Sequence, residues 1–346
     1  MKKVMKVRKA RKSYIMLAVL MVFAMFATAC GGSDDSSSGS DGAGANGDIK
    51  IGIVQIVDHP SLNQIRDNVV EQLEEDGFVD GKNCIIDIKD GQNEQSNLKT
   101  ICQKFVNDGY DIIIPIATPT AQVAAGETSD IPIVFSAVTD PVGAGLVDDQ
   151  EKPGSNITGV SDAVSAAKIM DMAKLITPEM KTIGALYTSS ETNSQSVVEE
   201  LKEYAKKKNL KVEEVSVTAS NEIAQAAAQL ASKVDVVFSP IDNTVASSMP
   251  MIVDTFNKEK IPFYVGADSM VNDGGLATDG VNYVELGKET GKMAVRILNG
   301  EKPEDTPVLV MEETKYYYNP NTAKAIGIEL PQEITKNGEA LDGDDM

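Results

Sequence analysis

The residues best placed to do chemistry are small polar ones that directly follow short apolar runs. They are Asp58-His59-Pro60-Ser61, Ala117-Thr118-Pro119-Thr120-Ala121-Gln122, Ser136-Ala137-Val138-Thr139-Asp140-Pro141, Thr188-Ser189-Ser190-Glu191-Thr192-Asn193-Ser194, Asp242-Asn243-Thr244 and Gly266-Ala267-Asp268-Ser269. If the runs are strands of open parallel sheets, these stretches line the crevice at the strands' carboxyl ends, where ligands bind. They also begin helices, so each hydroxyl and free N–H serves equally well as an ordinary N-cap. Several helix N-termini converging on one cleft would accommodate an anionic group such as a carboxylate. Catalytic groupings are absent from the sequence. It has 1 His and 3 Cys, no Gly-x-Ser-x-Gly elbow and no glycine-rich phosphate loop, and Gly143-Ala144-Gly145 lacks a third glycine. No metal and no cofactor is called for, and an α/β enzyme is the weaker alternative to a binding protein.

The elements that must position these residues follow from hydrophobic patterning. From Asp48 onward, strands are expected at Ile49–Val57, Cys84–Ile88, Asp111–Ile116 and Ile131–Phe135, with helices at Leu62–Glu75, Asn97–Asn107 and Thr120–Glu127. Ile112-Ile113-Ile114 is apolar on both faces, as a strand covered by helices on each side must be. A second series begins near Ala163. It runs helix to Ile176, strand Thr182–Tyr187, helix Ser194–Lys208, strand Lys211–Val217, helix Glu222–Leu230, strand Val234–Phe238, helix Thr244–Lys258 and strand Phe263–Val265. The fold class is therefore α/β: two doubly wound parallel-sheet lobes of roughly 120 to 150 residues each, with the ligand in the cleft between them. His59 is read as a structural or exposed loop histidine, with ligand contact as the alternative. Cys84 and Cys102 are read as buried thiols, and Tyr316-Tyr317-Tyr318 as a strand with at least one ring packed in lobe two.

The chain has 32 Lys plus Arg against 52 Asp plus Glu, a net charge of −20, which argues against nucleic acid as a partner. Lys2, Lys3, Lys6, Arg8, Lys9, Arg11 and Lys12 all precede the first acid, Asp34, and lead into an apolar run of 13 residues, Ile15–Ala27. That run is short of the roughly 20 apolar residues of a membrane-spanning helix, so residues 1–29 read as a signal peptide. Cys30 then matches the lipidated cysteine of a bacterial lipobox, with Ala27 where Leu is usual. Residues 30–47 form a lipidated Cys and flexible tether built from Gly, Ser, Asp, Ala and Asn. The expected location is extracytoplasmic, lipid-anchored to the cell membrane.

Several longer stretches resemble the substrate-binding lipoproteins of ABC transporters, of the tryptophan/tyrosine transport-system type. They are Ile116–Gln122, Phe135–Leu146, Gly159-Val160-Ser161-Asp162, Asp242-Asn243-Thr244-Val245 and Asn321–Gly327. The resemblance implies a type I periplasmic-binding-protein-like fold whose chain crosses a hinge three times. Lobe one would be 48–159 plus 284–298, lobe two 160–282 plus 306–330, and 331–346 an acidic C-terminal tail. It also implies an aromatic amino acid as ligand and an ABC permease with its ATPase as partners; a ligand-binding surface sensor for a signalling partner shares the same fold. A zwitterion in a desolvated cleft needs donors for its carboxylate and a charged acceptor for its ammonium. Ser189, Asn193 and Ser194 are the expected carboxylate donors, Asp242 the ammonium acceptor and Asp268 its rival. Thr118, Pro119, Thr120, Val138 and Thr139 are expected to wall the side chain. For Asp242 the competing role is a helix N-cap.

Overall fold

The computed structural model describes residues 48–343. The expected signal peptide, Cys30 and the tether lie outside the described residues.

Lobe one begins with β1 (Ile49–Gln55), α1 (Pro60–Glu75), β2 (Cys84–Asp90), α2 (Gln95–Asn107), β3 (Ile112–Ile116), α3 (Thr118–Glu127), β4 (Ile133–Ser136) and β5 (Ile157–Ser161). Lobe two follows with α4 (Ala166–Ile176), β6 (Thr182–Thr188), α5 (Thr192–Lys208), β7 (Lys211–Val217), α6 (Ile223–Ala231), β8 (Val236–Ser239), α7 (Asn243–Ala246), α8 (Met249–Glu259), β9 (Phe263–Val265), α9 (Asp268–Asn272) and β10 (Ala277–Gly280). The chain then returns to lobe one for α10 (Tyr283–Leu298) and β11 (Leu309–Val310). It ends in lobe two with β12 (Lys315–Tyr318), α11 (Pro320–Ile326), α12 (Gln332–Asn337) and β13 (Glu339–Ala340).

The two sheets are wound alike. Their orders are β11-β5-β4-β3-β1-β2 and β13-β12-β10-β9-β8-β6-β7, parallel except where β12 runs antiparallel to β10. In each lobe the first strand lies between the second and third, so the strand order reverses between β1 and β3 and again between β6 and β8. Crevices form at such switch points. The strands are apolar because both faces are covered: Ile51, Ile53, Ile112, Ile113, Ile114, Val134 and Phe135 are fully buried in lobe one.

Helix α10 joins lobe one by close packing on α1. A Cβ on Gly287 would lie 2.6 Å from the Ile65 carbonyl oxygen, and one on Gly291 would lie 2.6 Å from Cβ of Gln72. Two glycines one turn apart therefore let the helices approach nearly backbone to backbone, and Asn282 fixes the start of α10 by accepting from the N–H groups of Val284 and Glu285.

Four expectations need correction. The single helix over 244–258 is two helices, α7 and α8. The hydroxyls of Ser247 and Ser248 donate to the Thr244 carbonyl and Pro250 stands in the first turn of α8, so a new helix begins there. Strands β5 and β10 were not expected. Residues 331–346, expected as an acidic tail, contain α12 and β13, held to lobe two by the fully buried Ile334 and by pairing of β13 with Tyr317 and Tyr318. Residues 306–330 do not all belong to lobe two, because Leu309 and Val310 extend the lobe-one sheet beside Val160 and Ser161.

Candidate functional site

The two switch points face each other across the interlobe cleft. A cavity of about 110 Å³ lies there, lined by Ile56, Asn93, Gln95, Leu98 and Pro119 of lobe one and by Ser190, Glu191 and Thr244 of lobe two. Its lobe-one wall is partly apolar, and its lobe-two wall carries a carboxylate.

On the lobe-two side, two buried acids share the start of α7. Asp242 Oδ1 accepts from Thr188 Oγ1 at 2.8 Å and the Val245 N–H at 2.9 Å, and Oδ2 accepts from the Thr188 N–H at 2.6 Å and Ser194 Oγ at 2.8 Å. Four donors fill the lone pairs of both oxygens, so Asp242 is the N-cap of α7 and a brace across the switch point. The competing N-cap role is thus the one its hydrogen bonds fill. Glu191 Oε2 accepts from Asn243 Nδ2 at 2.7 Å and the Asn243 N–H at 3.1 Å, while Oε1 is met only at 3.3 and 3.4 Å by the Thr244 N–H and hydroxyl. Burial, and then the neighbouring charge of Asp242, push the Glu191 carboxyl well above the usual carboxylate range. No salt bridge reaches either acid among the described residues.

The expected carboxylate donors are otherwise engaged. Ser194 serves Asp242, Ser189 Oγ donates to the Val217 carbonyl at 3.2 Å, and Asn193 Nδ2 donates to the Ile241 carbonyl at 2.7 Å. What remains on Asn193 is its amide oxygen, buried and without a partner, which suits a donor and not an anion.

Free donors stand instead on lobe one. Ala117, which precedes α3, offers no side-chain cap, and the hydroxyls of Thr118 and Thr120 are buried without partners. An uncapped helix N-terminus with two unspent hydroxyls has donors left to satisfy. Pro119 lines the cavity and the flanking Thr118 and Thr120 do not, while Val138 lies in the core and Thr139 Oγ1 donates to Asp162 Oδ1 at 2.9 Å. Asp162 also accepts from the Tyr283 hydroxyl at 3.1 Å, joining the two chain crossings that precede α4 and α10. Asp268 lies near this second crossing. Its Oδ1 accepts from the Ser269 N–H at 2.7 Å, burial raises its carboxyl to about 6, and it does not line the cavity.

His59, at the N-cap of α1, is buried and not exposed. Its side chain meets Asn243 of lobe two, its Nε2 is unpartnered, and burial lowers it to about 4, so it is neutral at physiological pH. Cys84 and Cys102 are buried free thiols, and Tyr317 is the packed ring of its run. Glu191 was not among the expected site residues, although its position in the Thr188–Ser194 stretch marked it as cleft-facing.

The family description "ABC transporter substrate binding protein" matches residues 50–341. The chain belongs to the ABC transporter substrate-binding family. It is 42% identical over 279 residues to a tyrosine-binding protein of Clostridioides difficile, covering 81% of each chain. Among solved structures it is similar to an ABC domain in complex with L-Trp from Streptococcus pneumonia, at 43% identity and a TM-score of 0.82, over 85% of this chain and 99% of that one. It is also similar to the ligand-free, open structure of a Clostridium difficile substrate binding protein with adhesive properties, at 44% identity and a TM-score of 0.66, with the same coverage.

At nearly equal identity, this substrate-binding protein superposes better on the L-Trp complex than on the ligand-free, open structure. Direct contacts close it. Ser61 Oγ lies 2.5 Å from Ser269 Oγ, Ser196 Oγ donates to Asp140 Oδ2 at 2.8 Å, and Gln122 Nε2 donates to Thr192 Oγ1 at 3.4 Å. Among the described residues no helix is long and apolar enough to cross a membrane.

Proposed function

We propose that this extracytoplasmic substrate-binding protein captures an aromatic amino acid in the interlobe cleft and delivers it to a membrane permease driven by an ATPase. The observation that carries this reading is the buried Glu191 carboxyl group, with no salt-bridge partner among the described residues, facing across a small cavity the uncapped start of α3. Glu191 and the Asn193 amide oxygen accept the ligand's ammonium. The N-terminus of α3, with the Thr118 and Thr120 hydroxyls, receives its carboxylate, and Ile56, Leu98 and Pro119 give its ring an apolar wall. The relatives that bind tyrosine or L-Trp support the ligand class.

The cavity is smaller than the 150 Å³ or so that holds a benzene molecule in an engineered protein core, so the lobes must part to admit a ring. Because the two halves of the head group go to different lobes, a bound zwitterion favours closure by bridging them. Calorimetry with L-tryptophan and L-tyrosine tests the site. Glu191→Gln should weaken binding by about 10- to 100-fold, the loss of roughly 1.5 to 3 kcal/mol for a charged hydrogen bond. Unchanged affinity in that variant would place the ammonium elsewhere.

Cys30, after the apolar run and before the tether, is the proposed lipid attachment site. Cys30→Ala should move the protein from the membrane to the soluble fraction. Retention of the variant on membranes with its first 29 residues still attached would point to a transmembrane anchor.

A further inference from the structure

We infer that ligand capture is coupled to proton release: the Glu191 carboxyl holds a proton in the empty cleft and gives it to solvent when the ligand's ammonium arrives. This rests on the placement of the ammonium proposed above and concerns how the site is regulated.

The geometry sets the conditions. Glu191 and Asp242 are 3% and 0% exposed and lie against one short helix start, with only neutral N–H, O–H and amide donors around them. Two carboxylates so close and so dry do not both ionise without a compensating cation. The division between them follows from their partners. Asp242 receives four donors at 2.6 to 2.9 Å, whereas three of the donors to Glu191 lie at 3.3 to 3.4 Å, so Asp242 keeps the charge and Glu191 the proton.

The other titratable group that meets this start is on lobe one: His59 touches Asn243 with Asp58 behind it, and it is neutral at physiological pH. It supplies no positive charge. The unpartnered, buried amide oxygen of Asn193 beside Glu191 is the second acceptor awaiting a donor. An arriving ammonium provides both the cation and the donors, so the Glu191 O–H bond gives its proton to buffer while the ligand keeps all of its own. The sign follows: the carboxyl is raised in the empty protein and lowered in the complex, so affinity rises with pH between those two values.

Wild-type protein is titrated with L-tryptophan and with L-tyrosine near pH 6 and pH 7, in phosphate and in Tris, whose ionisation heats differ. The expected result is a buffer-dependent heat equal to about one proton released per ligand, with affinity rising up to about tenfold per pH unit. Difference infrared spectra of the wild type should lose a protonated-carboxyl band on ligand addition, and Glu191→Gln should lack that change. Binding with equal heats in both buffers and pH-independent affinity overturns the coupling while leaving the aromatic-ligand reading intact. Absence of binding at either pH overturns both. A carboxyl band that still disappears in Glu191→Gln overturns the assignment to Glu191.

Discussion

Ala117 carries backbone strain at the edge of the cleft. With φ 78° and ψ 152° it occupies a region that is essentially glycine's alone. Its N–H donates to the Ser136 carbonyl at 3.0 Å, and the turn it makes between β3 and α3 sets the direction of the helix start proposed to hold the carboxylate. Such a conformation costs about 1 to 3 kcal/mol, and glycine's extra unfolded-state entropy returns roughly 0.5 to 1 kcal/mol of that. Ala117→Gly should therefore stabilise the protein by up to about 2 kcal/mol, seen as a higher Tm in thermal unfolding. A Tm below wild type would contradict the strain. Residue types at the site were legible from sequence: Thr118 and Thr120 stand out as polar residues at a helix start. Their roles were not, because hydrogen-bond partners are settled by tertiary approach. Asp242 takes two of its four donors from Thr188, 54 residues away, and Glu191 is met by Asn243 and Thr244, 52 and 53 residues away.

Among the elements, those with a strong apolar period were readable, and the rest depended on neighbours. Helix Gln95–Asn107 shows why periodicity suffices: Leu98, Cys102 and Phe105 fall on one apolar face to bury. Ala277-Thr278-Asp279-Gly280 has none, and becomes a strand only because β9 and β12 lie on either side of it. Ile157–Ser161 is likewise a strand by virtue of β4 and β11. The return of α10 to lobe one was available from resemblance and not from pattern. Its physical cause is the pair of glycines facing α1, a shape match that hydrophobic periodicity does not report.

For the whole molecule, the closed arrangement and the contacts that span it define what opening must break. Ser61–Ser269, Ser196–Asp140 and Gln122–Thr192 are neutral or singly charged hydrogen bonds at the cleft, individually worth about 0.5 to 1.5 kcal/mol. Bonds of this size hold the lobes only weakly, so without ligand open forms should be populated in solution. Small-angle scattering should show the radius of gyration falling when saturating L-tryptophan is added, because the ligand engages both lobes only in the closed form. Identical curves with and without ligand would contradict a cleft that closes on its ligand.

The return of α10 and β11 to lobe one also governs the order in which the chain matures during synthesis. The face of α1 that Gly287 and Gly291 cover stays bare until residue 298 has left the ribosome, by which time most of lobe two is already made. Lobe two can assemble much of its sheet from the continuous stretch between Ala166 and Gly280, but lobe one, though translated first, is finished late. A nascent chain is thus kept from completing its N-terminal half early, and any fragment ending before Tyr283 lacks both the covering helix and the edge strand of that half.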